Sequence, residues 1–239
     1  MKYIYGPIKS RRLGLSLGLS LSTDKICDLD CIYCQWGSVG STVSERKEYA
    51  KAFEIIAELK SWIKINPQEF KELKFVTLSG LGEPTLNTSI GEIIDQARAI
   101  TGAKIAVITN STLLGDPAVR KGIVKADLIV PSLDAVKEQI FKQIDRPNAD
   151  IKLNEIIEGL IALRKEFRGK IWLEIMLVAG VNDDLQHIEE LKKVIELINP
   201  DKIQLNSPVR RPAEKDISAV ERSKLEKIRE ILGNKAEIV

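Results

Sequence analysis

Apolar and polar residues alternate with a period of two over residues 13 to 22, Leu13-Gly14-Leu15-Ser16-Leu17-Gly18-Leu19-Ser20-Leu21-Ser22. That period predicts a strand. Its leucine face is expected to pack against helices, and its glycine and serine face to leave open space, as suits a strand lining a cavity. From about Glu45 to Ile63 the period becomes helical, with Phe53, Ile55, Ile56, Leu59 and Ile63 on one side, and Asn66-Pro67 is expected to end the helix. The two periods then alternate. Strands are predicted over Lys74 to Ser79, Lys104 to Thr109, Asp127 to Ser132, Lys170 to Val178 and Lys202 to Asn206. Helices are predicted near Ser89 to Ile100, Ala118 to Lys125, Val136 to Ile144, Lys152 to Phe167, Asp184 to Ile198 and Ser218 to Leu232. The pattern is that of six strands, each followed by a helix.

Strands and helices alternating at this length imply a parallel sheet with right-handed crossovers, either an open doubly wound sheet or a barrel. The placement of chemically distinctive residues favours the barrel. Cysteines follow the first strand, Gly80-Leu81-Gly82-Glu83-Pro84 the second and Asn110 the third. Ser132 and Asp134 flank the end of the fourth, Asn182-Asp183 follow the fifth and Asn206-Ser207 the sixth. Sites drawn from the C-terminal ends of all strands are the habit of (β/α) barrels, whereas an open sheet gathers its ligand at one switch point. The expected fold is therefore α/β, a curved, barrel-like sheet of six strands forming a single domain over residues 1–239.

Composition narrows the compartment and the partners. With 44% hydrophobic and 29% charged residues, and no apolar run near the roughly 20 residues that span a bilayer, the chain reads as an ordinary soluble protein. The opening Met1-Lys2-Tyr3-Ile4-Tyr5-Gly6-Pro7 lacks the pattern of an export signal, so a cytoplasmic location is expected. A net charge of +2 makes no general case for nucleic acid, and leaves Arg11-Arg12 and Arg210-Arg211 as local candidates for phosphate contacts. Abundant Lys, Glu and Ile point weakly to a heat-adapted source.

All three cysteines fall in eight residues, Cys27, Cys31 and Cys34. An odd number of thiols in a reducing compartment argues for metal or catalysis over disulfides. Structural zinc takes four protein ligands, and the one histidine, His187, lies far along the chain. A ferredoxin-type cluster needs a fourth cysteine. Three thiols suit three irons of a 4Fe-4S cluster, leaving the fourth iron open.

The segment Cys27-x3-Cys31-x-Tyr33-Cys34 resembles the signature of the radical S-adenosylmethionine (radical SAM) enzymes, whose core is a (β/α)6 partial barrel with its cluster loop after the first strand. The resemblance spans nearly the whole chain. The flanking Tyr5-Gly6-Pro7, Ser10-Arg11-Arg12-Leu13-Gly14 and Cys31-Ile32-Tyr33-Cys34-Gln35 resemble more narrowly the iron–sulfur oxidoreductases that include the wybutosine-synthesis enzymes. It implies Cys27, Cys31 and Cys34 as iron ligands, with S-adenosylmethionine (SAM) as second cofactor, bound at the open iron and cleaved reductively to methionine and a 5′-deoxyadenosyl radical. Ser79-Gly80-Leu81-Gly82-Glu83-Pro84 is similar to the family's Gly-Gly-Glu-Pro segment, which holds the methionine amino group; Leu81 stands in place of a glycine. Thr109-Asn110-Ser111 is similar to a family Thr-Asn-Gly, and Ser132-Leu133-Asp134 to a strand ending that faces ribose and methionine carboxylate.

On the same resemblance Tyr33, Gly80, Gly82, Glu83, Asn110, Ser132, Asp134, Asn182 and Asn206 are the expected cofactor-binding residues. Val181 and Asn182 are placed beside adenine, and Arg146 beside the methionine carboxylate. Asn206, Ser207, Arg210 and Arg211 are placed at the cavity mouth. A turn or helix-cap role competes for Asn110, Ser132, Asp134 and Asn182, and solvation competes for Arg146. With every cysteine used in one site, none remains for the second cluster of the wybutosine enzymes, so common ancestry is expected more than a common substrate. The implied partners are an external one-electron donor of flavodoxin or ferredoxin type and an unidentified substrate, a peptide or an RNA among the candidates. Two alternatives stand beside this: an electron-transfer or redox-sensing iron–sulfur protein without SAM cleavage, and an activase of a glycyl radical enzyme.

Overall fold

The alternating leucines form β2 (Gly14–Leu19), the first of six parallel strands, followed by β3 (Phe75–Leu78), β4 (Lys104–Thr109), β5 (Leu128–Pro131), β6 (Lys170–Met176) and β7 (Lys202–Asn206). The computed structural model describes residues 1–10, 12–208 and 212–239, so the expectations for Arg11, Arg210 and Arg211 lie outside the described residues. Two strands join that the alternation does not announce. β1 (Ile4–Ser10) pairs antiparallel with β2, and β8 (Ala236–Ile238) pairs parallel with β7. Among the described residues the sheet therefore has eight strands in the order of the chain rather than six, and its two edges, β1 and β8, do not pair. It is a partial barrel, α/β throughout. Gly6-Pro7 breaks the alternation of β1, and the register shifts between Tyr5 and Ile8; proline is tolerated there because β1 is an edge.

Each strand sends alternate residues to two different cores. Leu17, Leu19, Val76, Leu78, Val107 and Ile129 pack with the helices in the main cluster, and all six are inaccessible to solvent. Each such side chain contributes about 2 kcal/mol of burial. Ala106, Leu128 and Val130, with Phe75, Ile108 and Trp172 against them, form a separate cluster that no helix joins, which is the barrel lumen. On β2 and the residue just after it the lumen face is Ser16, Gly18 and Ser20. Its expected open space is partly filled: a Cβ at Gly18 would stand 2.0 Å from the Tyr5 ring, so the tyrosine of β1 lies flush on this glycine.

The helices are α1 (Ala52–Ile65), α2 (Pro67–Glu72), α3 (Ile90–Thr101), α4 (Pro117–Ile123), α5 (Glu138–Ile144), α6 (Leu153–Glu166), α7 (Leu185–Ile198) and α8 (Arg222–Leu232). Two helix starts need correction. Helix α1 starts at Ala52 rather than near Glu45, because residues 43–51 are irregular and bridge to the loop after β3, with Lys47 N donating to Leu86 O at 3.1 Å. Asn66-Pro67 ends α1 as expected, with Asn66 as its C-cap, and Pro67 then opens the short α2 from its first position, where the missing N–H costs nothing. Helix α8 starts at Arg222 rather than Ser218, because Val220 N is taken by Ser207 Oγ at 2.9 Å. The first predicted strand is also not followed directly by a helix. Residues 20–51 form a long loop over the C-terminal ends of the strands, and this loop carries the cysteines. No described helix is long and apolar enough to cross a membrane.

Candidate active site

Backbone bonds from three neighbouring loops hold the cysteine loop. Glu83 N donates to Ile26 O at 2.8 Å, and Ile26 and Gly82 form a bridge. Gly82 has φ +96°, and a Cβ there would stand 1.7 Å from Ile26 O, so only glycine permits this approach. On the opposite side Ile32 N donates to Ile144 O at 3.0 Å and Asp30 N to Asp145 O at 3.1 Å, while Leu29 bridges Pro147. The turn after α5 thus seats the second half of the loop. From the third side, Glu214 N donates to Ile32 O at 2.9 Å, so the β7–α8 connection crosses the same loop.

Around Cys27 the expected residues come together, but their polar atoms serve one another. Glu83 accepts four bonds: Thr85 N at 3.0 Å, Thr85 Oγ1 at 2.6 Å and Thr109 Oγ1 at 2.7 Å on Oε1, and Asn110 N at 2.7 Å on Oε2. Its carboxylate therefore ties the loop after β3 to the loop after β4. Burial, with Asp28 nearby, lifts its pKa from 4.5 to about 7 against these donors. Asn110 Nδ2 donates to Asp28 Oδ1 at 2.6 Å and lies 3.8 Å from Cys27 Sγ. Asp28, fully buried, also accepts from Thr112 Oγ1. The sequence assigned no role to Asp28 or Thr112, although Asp28 directly follows Cys27.

Around Cys31 a second network forms. Tyr33 Oη donates to Asp134 Oδ2 and lies 3.3 Å from Asp145 Oδ1, to which Cys31 Sγ donates at 3.4 Å. Asp134 Oδ1 accepts Met176 N at 2.8 Å. Asn182 is consumed by backbone: Oδ1 accepts Val178 N, and Nδ2 donates to Asp134 O and Met176 O, each at 2.8 Å. It braces the Asp134 loop. Ser132 lines a small cleft with Tyr33, Asn110, Asp134 and Asp145. Asn206 bonds its own neighbour, Ser207 N, at 3.0 Å, and no described hydrogen bond joins it to the cysteine loop. Arg146 spends its guanidinium on Glu214 at 2.6 Å. Asp145 was missed, because its link to Cys31 depends on the turn after α5 and not on spacing.

The electrostatics are one-sided. Asp28, Glu83, Asp134 and Asp145 are all buried, and none takes part in a salt bridge among the described residues. Burial lifts all four pKa values. Burial and the neighbouring carboxylates likewise lift Cys27 and Cys31, which favours their protonated thiols. All three cysteines are free and partly buried. Among the described residues no three His, Cys, Asp or Glu side chains are gathered for a single ion. Three soft thiol donors on one loop, with no fourth, fit a 4Fe-4S cluster on three of its irons. Uncompensated buried carboxylates fit a cationic ligand beside it.

The family model of the radical SAM superfamily matches residues 21–197, which takes in the cysteine loop and the strand ends just described. The chain belongs to the radical SAM superfamily. Its members are enzymes that use a 4Fe-4S cluster and SAM, and generally need an external electron donor. Among relatives, a UPF0026 protein of Methanocaldococcus jannaschii is 35% identical over 240 residues, covering 100% of this chain and 73% of that protein. A protein named GTPase Obg from Brachyspira hyodysenteriae is 37% identical over 226 residues, but the match covers 95% of this chain and only 33% of that protein. A dual-specificity RNA methyltransferase RlmN of Nitratidesulfovibrio vulgaris is 26% identical over 216 residues, 88% of this chain and 57% of its own length. Solved structures share the radical SAM fold. A radical SAM methyltransferase from Sphaerobacter thermophilus superposes with TM-score 0.70 at 17% identity, covering 94% of this chain and 65% of that one. Archaeal TYW1 superposes with TM-score 0.60 at 19% identity, covering 92% and 72%.

Proposed function

We propose that this radical SAM enzyme holds one 4Fe-4S cluster on Cys27, Cys31 and Cys34 and cleaves SAM reductively to abstract hydrogen from a substrate in the barrel lumen. The observation that carries the reading is the seating of one three-thiol loop by three other loops, with four buried carboxylates around it and no cation paired with them among the described residues. When bound, the cluster and SAM supply an electron and a 5′-deoxyadenosyl radical, and the protein orients both and keeps water out.

Each residue then has a task in this chain. Gly80 and Gly82, at φ +117° and +96°, bring backbone close to the methionine end of SAM, and Glu83 fixes that turn through Thr85, Thr109 and Asn110. Asn110 and Asp28 orient Cys27. Tyr33 and Asp145 orient Cys31, and Asp134 with Ser132 presents polar groups to the ribose. Asn182 acts through Asp134, and Asn206 lies on the rim by the β7–α8 connection.

The substrate is proposed as macromolecular, because the RNA methyltransferase relative acts on RNA by its name and the seam between β1 and β8 leaves the barrel open. Electrons come from a flavodoxin or ferredoxin type donor. The test is spectroscopic and isotopic. SAM added to the reduced, cluster-loaded protein should change the paramagnetic signal of the cluster, and deuterated extract fractions should include one that places deuterium in 5′-deoxyadenosine. A cluster signal indifferent to SAM would favour simple electron transfer.

A further inference from the structure

The net charge of +2 hides an uneven distribution that only the fold brings out. Strands β2 to β8 run parallel, so their first residues share one rim of the barrel, opposite the rim that carries the cysteine loop. That rim is lined with cations. β4, β6 and β7 open on Lys104, Lys170 and Lys202, while Lys74 directly precedes β3 and Lys235 directly precedes β8. Lys125 stands just ahead of β5 and Arg168 just ahead of β6. At the other rim the balance is reversed, with Asp28, Glu83, Asp134 and Asp145 buried around the cysteines.

Strand alternation turns several of these cations toward the lumen. Ile105, Ile171 and Ile203 pack in the helix-side core, so their preceding neighbours, Lys104, Lys170 and Lys202, lie on the lumen face. Phe75 and Trp172, half-buried against the lumen cluster, stand at the same level. Phe75 is opposite Lys104 in the β3–β4 register, and Trp172 is opposite Lys202 in the β6–β7 register. The Lys202 ammonium lies 4.9 Å from the Trp172 ring centre. Cations and aromatic side chains therefore alternate around this mouth.

Much of the charge is not spent inside the protein. Among the described residues Lys74, Lys104 and Arg168 have no acidic partner, and Lys235 bonds only neutral oxygens, Asn199 Oδ1 at 2.7 Å and Pro200 O at 3.0 Å. Glu72, close before Lys74, offsets part of it. Lys125, Lys170 and Lys202 pair with Asp95, Asp201 and Glu237. These are surface pairs of small net worth; the Lys170 side chain is 68% exposed, so a phosphate can compete for it.

Lysines scattered on a rim would be an ordinary solvated face. Lysines on the lumen side, interleaved with accessible aromatic side chains, match the way proteins hold single-stranded nucleic acid, with phosphates on the cations and bases against the aromatics. We propose that the N-terminal mouth of the barrel docks single-stranded RNA, with phosphates on Lys74, Lys104, Arg168 and Lys170 and bases against Phe75 and Trp172. The inference rests on the proposed macromolecular substrate, and it names the class of that substrate and the surface that holds it. An acidic protein would use the cations and leave the aromatics idle.

The experiment is fluorescence anisotropy with the cluster-loaded protein and SAM, using a labelled single-stranded RNA of mixed sequence, its duplex, and polyglutamate as competitor, each over a range of salt. The single strand should bind more tightly than the duplex, and its affinity should fall steeply with salt. Each phosphate contact of a single strand contributes about −0.7 to the slope of log K against log salt, so Lys74→Gln with Lys104→Gln should flatten the slope by about 1.4 and weaken binding about tenfold. Arg168→Gln should flatten it by about 0.7 and serves if the double variant fails to fold. Lys192→Gln with Lys193→Gln, which removes the same charge from α7, should change neither quantity. No RNA binding, an equal effect of the two double variants, or a duplex bound as tightly as the single strand overturns the proposal. Displacement of the RNA by polyglutamate at equal charge also overturns it and identifies an acidic protein as the occupant. Release of 5′-deoxyadenosine by the unaltered protein without RNA is scored separately, so failure of the radical reading is told apart from failure of this one.

Discussion

At the scale of single residues the site depends on approaches that one atom can close. Gly82 meets Ile26 O where a Cβ would stand at 1.7 Å, whereas Gly37, also at positive φ (+76°), has nothing within 4 Å of its Cβ position. Both Ala variants carry the same backbone strain, and only Gly82→Ala displaces the cysteine loop. It should lose about 1–3 kcal/mol more than Gly37→Ala in thermal unfolding and take up less iron on anaerobic reconstitution. Equal effects would show that the approach does not seat the loop. Glu83 behaves differently from its sequence reading. The motif marked it as a partner of an ammonium, yet its oxygens already accept four protein donors, and this was illegible because Thr85, Thr109 and Asn110 meet it only through the fold.

Glu83 also sets a pH dependence. In the fold it keeps a proton up to about 7, where its ordinary value is 4.5. The unfolded chain loses that proton first, so the stabilisation is full below 4.5 and is lost as pH rises to about 7. Burial shifts Asp134 and Asp145 in the same direction. Metal-free protein should therefore melt at a higher temperature near pH 5 than near pH 8, and the opposite order would mean these carboxylates are ionised in the fold.

At the scale of elements, periodicity located the six parallel strands within three residues at each end, because each is fixed by burial on both faces; the largest miss is the first, expected to run to Ser22 and ending at Leu19. It missed β1 and β8, which are edges. Gly6-Pro7 interrupts one, and the other is three residues long. The cost of missing β1 was Tyr5, whose ring covers Gly18 and whose hydroxyl bonds Ser79 beside Gly80. Gly18→Ala should destabilise the protein by about 1–3 kcal/mol through overpacking. Tyr5→Ala in the same background should recover part of that loss, and strictly additive effects would show that the ring does not press on this glycine.

At the scale of the molecule the three thiols, the glycine turn and the Ser132–Asp134 strand end were legible because they are local in sequence. Of the residues that lock them, Asp28 sits beside Cys27 in the sequence but bonds Asn110 of a distant loop, and Asp145 and Glu214 were not legible, since each acts from a loop distant in the chain. The seam between β1 and β8 is likewise a property of the whole sheet. The most direct measurement of the account is the product of SAM. Anaerobically reconstituted protein should hold about four irons and four sulfides and, once reduced, release 5′-deoxyadenosine and methionine from SAM, with release abolished by Ala at Cys27, Cys31 or Cys34. An intact, reducible cluster that leaves SAM uncleaved, or cleavage that survives loss of any one of these cysteines, would contradict it.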